Sequence, residues 1–241
     1  MLICPLDFRY GRKEMRSIFS EDRRIDLQLK VEAALARAHA KAGNVPRAAA
    51  KKITSQASIG IVTRERVYEI EAETKHDVMA VVKALSEKCG EAGNYVHLGA
   101  TSNDIIDTTT ALQLKAALEI VESDLLALLA ALADLAEGHR DTMCMGRTHG
   151  QDAIPTTYGF KVAGYASEVM RHLDRLRECQ RRACVGKLSG AIGTAAALGP
   201  KAREVQSFMM KDLGLGYEEA ATQVVCRDRY TEMVCLMANI C

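Results

Sequence analysis

One long helical pattern dominates the middle of the chain. Between Gly99 and Gly138 there is no other glycine and no proline, and apolar residues recur at helical spacing through most of the segment. This spacing predicts one α-helix from Thr101 to Glu137, about 50 Å long at 1.5 Å per residue. A rod of this length needs apolar neighbours along its whole surface, which indicates a long-helix bundle completed by other subunits.

Shorter helical patterns lie on both sides of this rod, and the whole chain is predicted to be all-α. Two polar tracts, 146–157 and 186–200, interrupt the patterns and are predicted to be irregular. The last pattern still continues at Cys241 without a stop signal, so we expect a truncated polypeptide. The predicted helices run from Ser20 to Gly43, Thr63 to Gly90, Thr157 to Ala183, Lys201 to Leu213, and Arg227 to the end.

Composition and charge exclude several classes of protein. The 32 basic and 31 acidic residues leave a formal charge of +1, which gives no overall field for nucleic acid or an anionic membrane. No apolar run approaches the roughly 18 residues that a membrane span needs, and the N-terminus lacks a signal-peptide core. The eight cysteines are scattered, without a CxxC pair, which favours reduced core thiols and a cytoplasmic setting.

His149 is the first candidate for chemistry. It lies in GRTHGQDAIPTT (146–157), between Arg147, which can bind a carboxylate, and glycines that let the backbone approach a ligand. An imidazole exchanges protons near neutrality, so His149 could act as an acid or a base. The alternative is an ordinary surface histidine or one that caps a turn.

Three further tracts are candidates for ligand binding. Lys75, His76 and Asp77 could bind a phosphate, although the pattern alone favours a solvated helix face. Thr101 and Ser102 begin the long helix, where hydroxyls and free backbone N–H groups favour anions, and they also suit a plain N-cap. The tract GKLSGAIGT (186–194) lacks the spacing of a P-loop or a dinucleotide turn, so a flexible connection is the alternative there.

Six segments, taken together and in order, resemble the fumarase/aspartase superfamily, and within it the adenylosuccinate lyase family. They cover the whole chain, and TKHDV and RTHGQ separate this branch from the fumarases, aspartases and argininosuccinate lyases. The segments are RYG, ETKHDVMA, VHLGATSNDIIDT, GRTHGQDAIPTTYG, VGKLSGAIGTAA and TQVVCRDRY.

The resemblance implies a fold and an assembly. It implies an all-α chain with a small helical N-terminal domain over residues 1–99 and a truncated long-helix bundle domain over 100–241. It further implies a homotetramer in which four subunits share a core of twenty helices and three chains build each active site. No metal and no organic cofactor is implied, and neither is a nucleic-acid or membrane partner.

The resemblance also implies a reaction, the β-elimination of fumarate from a nucleotide. Adenylosuccinate would give AMP, and the succinyl-carboxamide ribotide of purine biosynthesis (SAICAR) would give AICAR. His149 would be the general acid, and Thr101 and Ser102 would bind the carboxylate on the fumarate side. The other substrate-binding residues would be Arg9, Tyr10, Lys75, His76, Asp77, Thr148 and Gln223.

Two departures from the family pattern change the expectation for this polypeptide. Lys75 stands where many relatives have arginine, which loosens a bidentate grip on phosphate. The family's catalytic serine lies in a motif like SSxMPxKxNP, which does not occur here, and the C-terminal third is expected to be missing. We therefore expect these 241 residues alone to be inactive or nearly so. The alternatives are another superfamily lyase, of the argininosuccinate or carboxymuconate type, and a non-catalytic helical scaffold.

Overall fold

The computed structural model describes residues 10–241. The all-α prediction is confirmed, since helices make up most of the described chain and the strands are short. The strands are β1 (Met143–Thr148), β2 (Gln151–Thr157), β3 (Val185–Gly186) and β4 (Gly216–Tyr217). The α-helices are α1 (Lys13–Ile18), α2 (Glu21–Ala42), α3 (Arg47–Gln56), α4 (Arg64–Thr74), α5 (Asp77–Cys89), α6 (Ser102–Gly138), α7 (Tyr158–Ala183), α8 (Ala202–Leu213) and α9 (Asp228–Ile240).

The long helix and its capped neighbour follow the sequence pattern closely. Helix α6 covers the predicted rod within a residue at each end. Helix α2 begins where the Ser20 side chain accepts a hydrogen bond from the Arg23 backbone N–H, and it ends at Gly43, whose φ is 83°. Glycine suits that left-handed position because it has no Cβ to clash.

The helix predicted from Thr63 to Gly90 is wrong in its continuity. The structure has two helices there, α4 and α5, and Lys75 between them has a left-handed φ of 55°. His76 is extended, and its Nδ1 accepts a hydrogen bond from Met79 N at 3.4 Å, so His76 is the N-cap of α5. The apolar stripe continues on both sides of the break, with Ile70 and Val78 both buried, which is why periodicity did not reveal it.

The tract around His149 is a β-hairpin and not the predicted irregular loop. Strands β1 and β2 pair antiparallel, with Thr148 opposite Gln151. His149 and Gly150 form the two-residue turn with φ values of 51° and 73°, the left-handed pair that a tight hairpin needs. Both strands are largely exposed, so they carry no apolar alternation that could have predicted them.

The described chain divides into two compact units. Unit 1 contains residues 10–117 and 181–230, and unit 2 contains residues 118–180 and 231–241. This division does not coincide with a boundary after residue 99, and that domain boundary stays a prediction. The core of unit 1 is built from apolar side chains of several helices, among them Leu29, Leu35, Ile53, Leu85, Ile105 and Met209.

Unit 2 contains the second half of α6, the hairpin, and most of α7 and α9. Glu122 on α6 pairs with Arg177 on α7 at 2.8 Å, and the His139 and Tyr158 rings meet edge to face at 5.3 Å. Three leucines on α6 nevertheless remain well exposed: Leu126, Leu128 and Leu135. Nowhere in residues 10–241 is a helix both long and apolar enough to cross a membrane.

The cysteines are only partly the core thiols that the sequence predicted. Cys89, Cys179 and Cys184 are buried, whereas Cys226 and Cys235 are exposed on the surface of the chain. Burial raises the pKa of the Cys89 thiol and opposes formation of its thiolate.

Candidate functional site

In unit 1 the break between α4 and α5 lies beside the start of α6. The Nε2 atom of His76 lies 3.4 Å from the Oγ atom of Ser102, although 26 positions separate the two residues. Asp77 lies on the other side of the imidazole, with Oδ1 3.5 Å from Nδ1. The helix break therefore lies where two of the proposed ligand-binding tracts meet.

The start of α6 is fixed by its own third residue. The Thr101 backbone N–H donates to Asp104 Oδ2 at 2.9 Å, which is one of the two hydrogen bonds of a capping box. Thr101 and Ser102 are each half-buried at the positive end of a 37-residue helix. This position favours an anionic group of a ligand, because the first N–H groups of a helix have no partner within it.

Asp104 also organises the glycine-rich tract, which the sequence did not reveal. Its carboxylate accepts hydrogen bonds from Lys187 Nζ at 2.6 Å, Ser189 N at 2.9 Å and Gly190 N at 3.0 Å, in addition to Thr101 N. The side chains of Lys187 and Asp104 are fully buried. The first half of the tract is thus anchored to α6 within unit 1.

Side chains of α2 hold the segment before α6, at His97 and Leu98. The Glu32 carboxylate accepts two hydrogen bonds from His97, from the backbone N at 3.0 Å and from Nδ1 at 2.6 Å. Two turns further along α2 from Glu32, the Nε2 atom of His39 lies 3.0 Å from the Leu98 carbonyl oxygen. None of the three side chains was predicted from the sequence, although an acidic residue among the apolar positions of α2 was an available signal.

Two histidines in this region have shifted pKa values of opposite sign. Burial lowers the pKa of His39 more than its hydrogen bond to Leu98 raises it. Burial also lowers the pKa of His97, but the hydrogen bond and the charge of Glu32, with a smaller contribution from Asp104, outweigh it and raise the pKa. The surroundings of His97 therefore favour its imidazolium form more than water does, and the surroundings of His39 favour its neutral form.

Gly99 allows the segment before α6 to pack closely against Ala197 and Leu198. Its φ is 70°, and a Cβ there would lie 2.8 Å from the Ala197 carbonyl oxygen and 2.9 Å from Leu198 Cδ2. Both the backbone conformation and the space require glycine. Gly99 thus fixes the path of the chain into Thr101 and Ser102.

A second carboxylate on α6 holds the segment that contains Gln223. Asp107 accepts hydrogen bonds from Val225 N at 3.0 Å and from Arg227 Nη1 at 2.8 Å. Gln223 is exposed, two residues before this anchor. The position of Gln223 in unit 1 is therefore fixed through Asp107, which lies about one turn along α6 from Asp104.

The remaining predicted residues lie elsewhere. Thr148 and His149 are exposed at the tip of the hairpin in unit 2. Tyr10 is 60% exposed at the beginning of the described chain, and Arg9 lies outside the described residues. Within residues 10–241, no cluster of three or more His, Cys, Asp or Glu side chains could hold a metal ion.

Comparison with known proteins shows the family to which the chain belongs. The profile of the family described as Lyase matches residues 8–241. Adenylosuccinate lyase of Pyrococcus horikoshii is 55% identical over 240 residues, which is 100% of this chain and 53% of that protein. The chain thus spans about half the length of the curated relatives it matches, a smaller share than the two-thirds expected from the sequence.

Solved structures give the same fold at lower identity. A fumarate lyase from Mesorhizobium sp. BNC1 superposes with a TM-score of 0.86 at 38% identity, covering 96% of this chain and 55% of that one. A 3-carboxy-cis,cis-muconate lactonizing enzyme from Pseudomonas putida superposes with a TM-score of 0.85 at 37% identity, covering 98% and 54%. The chain belongs to the Lyase family. Over its whole length it is similar to the N-terminal part of adenylosuccinate lyases.

Proposed function

We propose that the whole protein is an adenylosuccinate lyase of purine biosynthesis, which releases fumarate from adenylosuccinate and from SAICAR. The observation that carries the proposal is the 55% identity to such an enzyme over the entire chain. The juxtaposition of His76 with Ser102 supports it, because it joins two tracts of the family pattern into one polar surface.

The start of α6 binds the succinyl end of the substrate in this proposal. Thr101 and Ser102 donate to the carboxylate on the fumarate side, at the positive end of the helix. Removal of the neighbouring proton builds negative charge on that carboxylate. Donors already aimed at it stabilise the transition state more than the ground state, which is the condition for catalysis.

The other end of the substrate is a nucleotide. Lys75, His76 and Asp77 bind it at the α4–α5 break, with His76 near the phosphate, and Lys75 offers a point charge where an arginine would offer two parallel donors. Arg9 and Tyr10 bind the same nucleotide end. Gln223 contacts the succinyl portion.

His149 is the general acid that protonates the departing nitrogen, and Thr148 helps to hold the substrate. The exposed position of His149 at a tight turn suits a group that acts on a ligand bound by other chains. The exposed leucines Leu126, Leu128 and Leu135 support a homotetramer, since apolar side chains on a long rod favour burial against sister helices. A cytoplasmic location stays a prediction.

A comparison of substrates tests this proposal. Purified whole protein is expected to release fumarate from adenylosuccinate and SAICAR, followed by ultraviolet absorbance, and to leave argininosuccinate and carboxymuconate intact. Because the motif of the catalytic serine is missing from residues 1–241, the chain alone is expected to turn over none of these. Normal turnover by the chain alone, or a preference for argininosuccinate or carboxymuconate, would overturn the corresponding part of the proposal.

A further inference from the structure

Glu32 is a buried acid in the middle of α2. Its side chain is fully buried, and its helical neighbours Val31, Ala33 and Leu35 are buried apolar residues. A carboxylate in such a place is costly unless it is paired and hydrogen-bonded. Both of its oxygens are in fact used, and both are used by the same residue, His97.

The pairing fixes the conformation of His97 as well as its charge. His97 has a φ of 63°, a left-handed conformation that is costly for a residue other than glycine. One oxygen of Glu32 holds the backbone N–H and the other holds Nδ1, so the two bonds set the backbone and the ring together. Residues whose strained backbone is held in place by several contacts are concentrated at functional sites.

The second ring nitrogen of His97 is available to a ligand. Among residues 10–241 no group makes a hydrogen bond to Nε2, and 13% of the side chain is exposed. Because Nδ1 donates to a carboxylate, the imidazolium form leaves Nε2–H as a second donor. His97 is four residues before Thr101, in the segment that Gly99 packs into place.

The charges around His97 favour its protonated form. Glu32 faces it from α2, and Asp104 approaches it from α6. Lys187, from the glycine-rich tract, pairs with Asp104 and weakens that second contribution. His39, two turns along α2, binds the Leu98 carbonyl, and its pKa is lowered by burial, so it adds little positive charge.

We propose that Glu32 is a positioning residue, which holds His97 as a fixed imidazolium and presents its Nε2–H to an oxyanion of the substrate at the start of α6. The oxyanion is a carboxylate or a phosphate. The substrate part of this inference rests on the proposed function. The coupling between Glu32 and His97 rests on the geometry alone.

A histidine titration tests the coupling. The His97 ring signals of the 241-residue chain are followed by proton–carbon NMR against pH and assigned by their loss in His97→Asn. Glu32→Gln keeps the size of the side chain and removes its charge, so the pKa of His97 is expected to fall. An unchanged titration in a folded Glu32→Gln variant overturns the coupling. If that variant does not fold, a His97 pKa at or below its ordinary value in the wild-type chain overturns it.

Anion titrations test the presentation to substrate. Succinate and inorganic phosphate are added separately to the chain, and the arm that shifts the His97 signals identifies the oxyanion. Loss of one charge-assisted hydrogen bond is expected to weaken that affinity about tenfold or more in Glu32→Gln. Glu87→Gln, which removes an exposed carboxylate from α5, is expected to leave it unchanged. If neither anion shifts His97, the presentation is wrong.

The whole protein separates this inference from the proposed function. If Glu32→Gln remains folded and raises KM for adenylosuccinate more than it lowers kcat, His97 acts in substrate binding. If the whole protein has no lyase activity but succinate or phosphate still shifts His97 in a Glu32-dependent way, the proposed function fails and this inference stands. Equal kinetics in wild type and Glu32→Gln overturn the role in substrate binding.

Discussion

The Lys187 ammonium lies 2.6 Å from the Asp104 carboxylate, and both side chains are fully buried. The pair joins the glycine-rich tract to the first turn of α6. The Gly190 carbonyl accepts a further hydrogen bond from Lys187 Nζ at 3.0 Å, so the ammonium is held on two sides. This arrangement fixes the backbone around Thr101, where the proposed anion site begins.

Removing the lysine should strongly destabilise the chain. Lys187→Met leaves the buried Asp104 charge without its cation, which is expected to lower the free energy of unfolding by about 3–5 kcal/mol. Urea denaturation measures the change. Lys83→Met, at an exposed position of α5, is the matched control and should change the value by less than about 0.5 kcal/mol. Equal stability of the two variants would contradict the assigned role of Lys187.

Gly99 should not tolerate even alanine. A left-handed φ alone costs a residue other than glycine about 1–3 kcal/mol, and the close approach of the Ala197 carbonyl adds to that cost. Gly99→Ala is therefore expected to lower the thermal midpoint markedly. Gly164→Ala is the control, since Gly164 lies within α7 with open space at its Cβ position and should gain about 0.5–1 kcal/mol in the helix. A midpoint for Gly99→Ala equal to wild type would refute this packing.

The stability contributed by His97 should depend on pH. Its folded pKa is raised above the ordinary value of 6.5, so the contribution is fully present below about pH 6.5 and is lost as pH rises through the folded pKa. The difference in free energy of unfolding between wild type and His97→Asn is expected to shrink as pH rises through that range. Asparagine is chosen because it tolerates the left-handed backbone. His39 is present in both proteins, so its contribution to the pH dependence cancels in the difference. A difference that grows with pH would show that the sign is wrong.

His149→Asn should separate chemistry from folding. Asparagine followed by Gly150 suits a left-handed two-residue turn, so the hairpin and the stability of the chain should be preserved. In the whole protein kcat is expected to fall by roughly 10²–10⁴, the usual contribution of a positioned acid. Steady-state kinetics and a thermal melt measure the two effects. Full turnover with an intact fold would favour the non-catalytic scaffold.

Local signals predicted much of the fold. Helices α2 and α6 were found because their caps and apolar spacing agree over many turns, from Ser20 to Gly43 and along the 37 residues of α6. The break at Lys75 was missed because the apolar stripe has the same phase in α4 and α5. The hairpin was missed because both of its strands are exposed, so its register depends on backbone pairing and on the turn at His149 and Gly150.

The candidate site was less predictable than the helices. The tracts at His76 and Ser102 could be singled out by residue type, but their contact depends on the helix break. Glu32 and His97 are 65 positions apart, and Asp104 and Lys187 are 83 apart. No periodicity connects such pairs, because each is created by the packing of separate elements. A charged residue among apolar neighbours was the only local sign of either.

The product balance of the whole protein with adenylosuccinate tests the proposed lyase reaction itself. Fumarate and AMP are quantified together after incubation, by coupled enzymatic assay and chromatography. Equal amounts of the two products are expected, formed without an added metal or organic cofactor. A folded whole protein that consumes no adenylosuccinate, or that forms AMP without fumarate, would contradict that reaction.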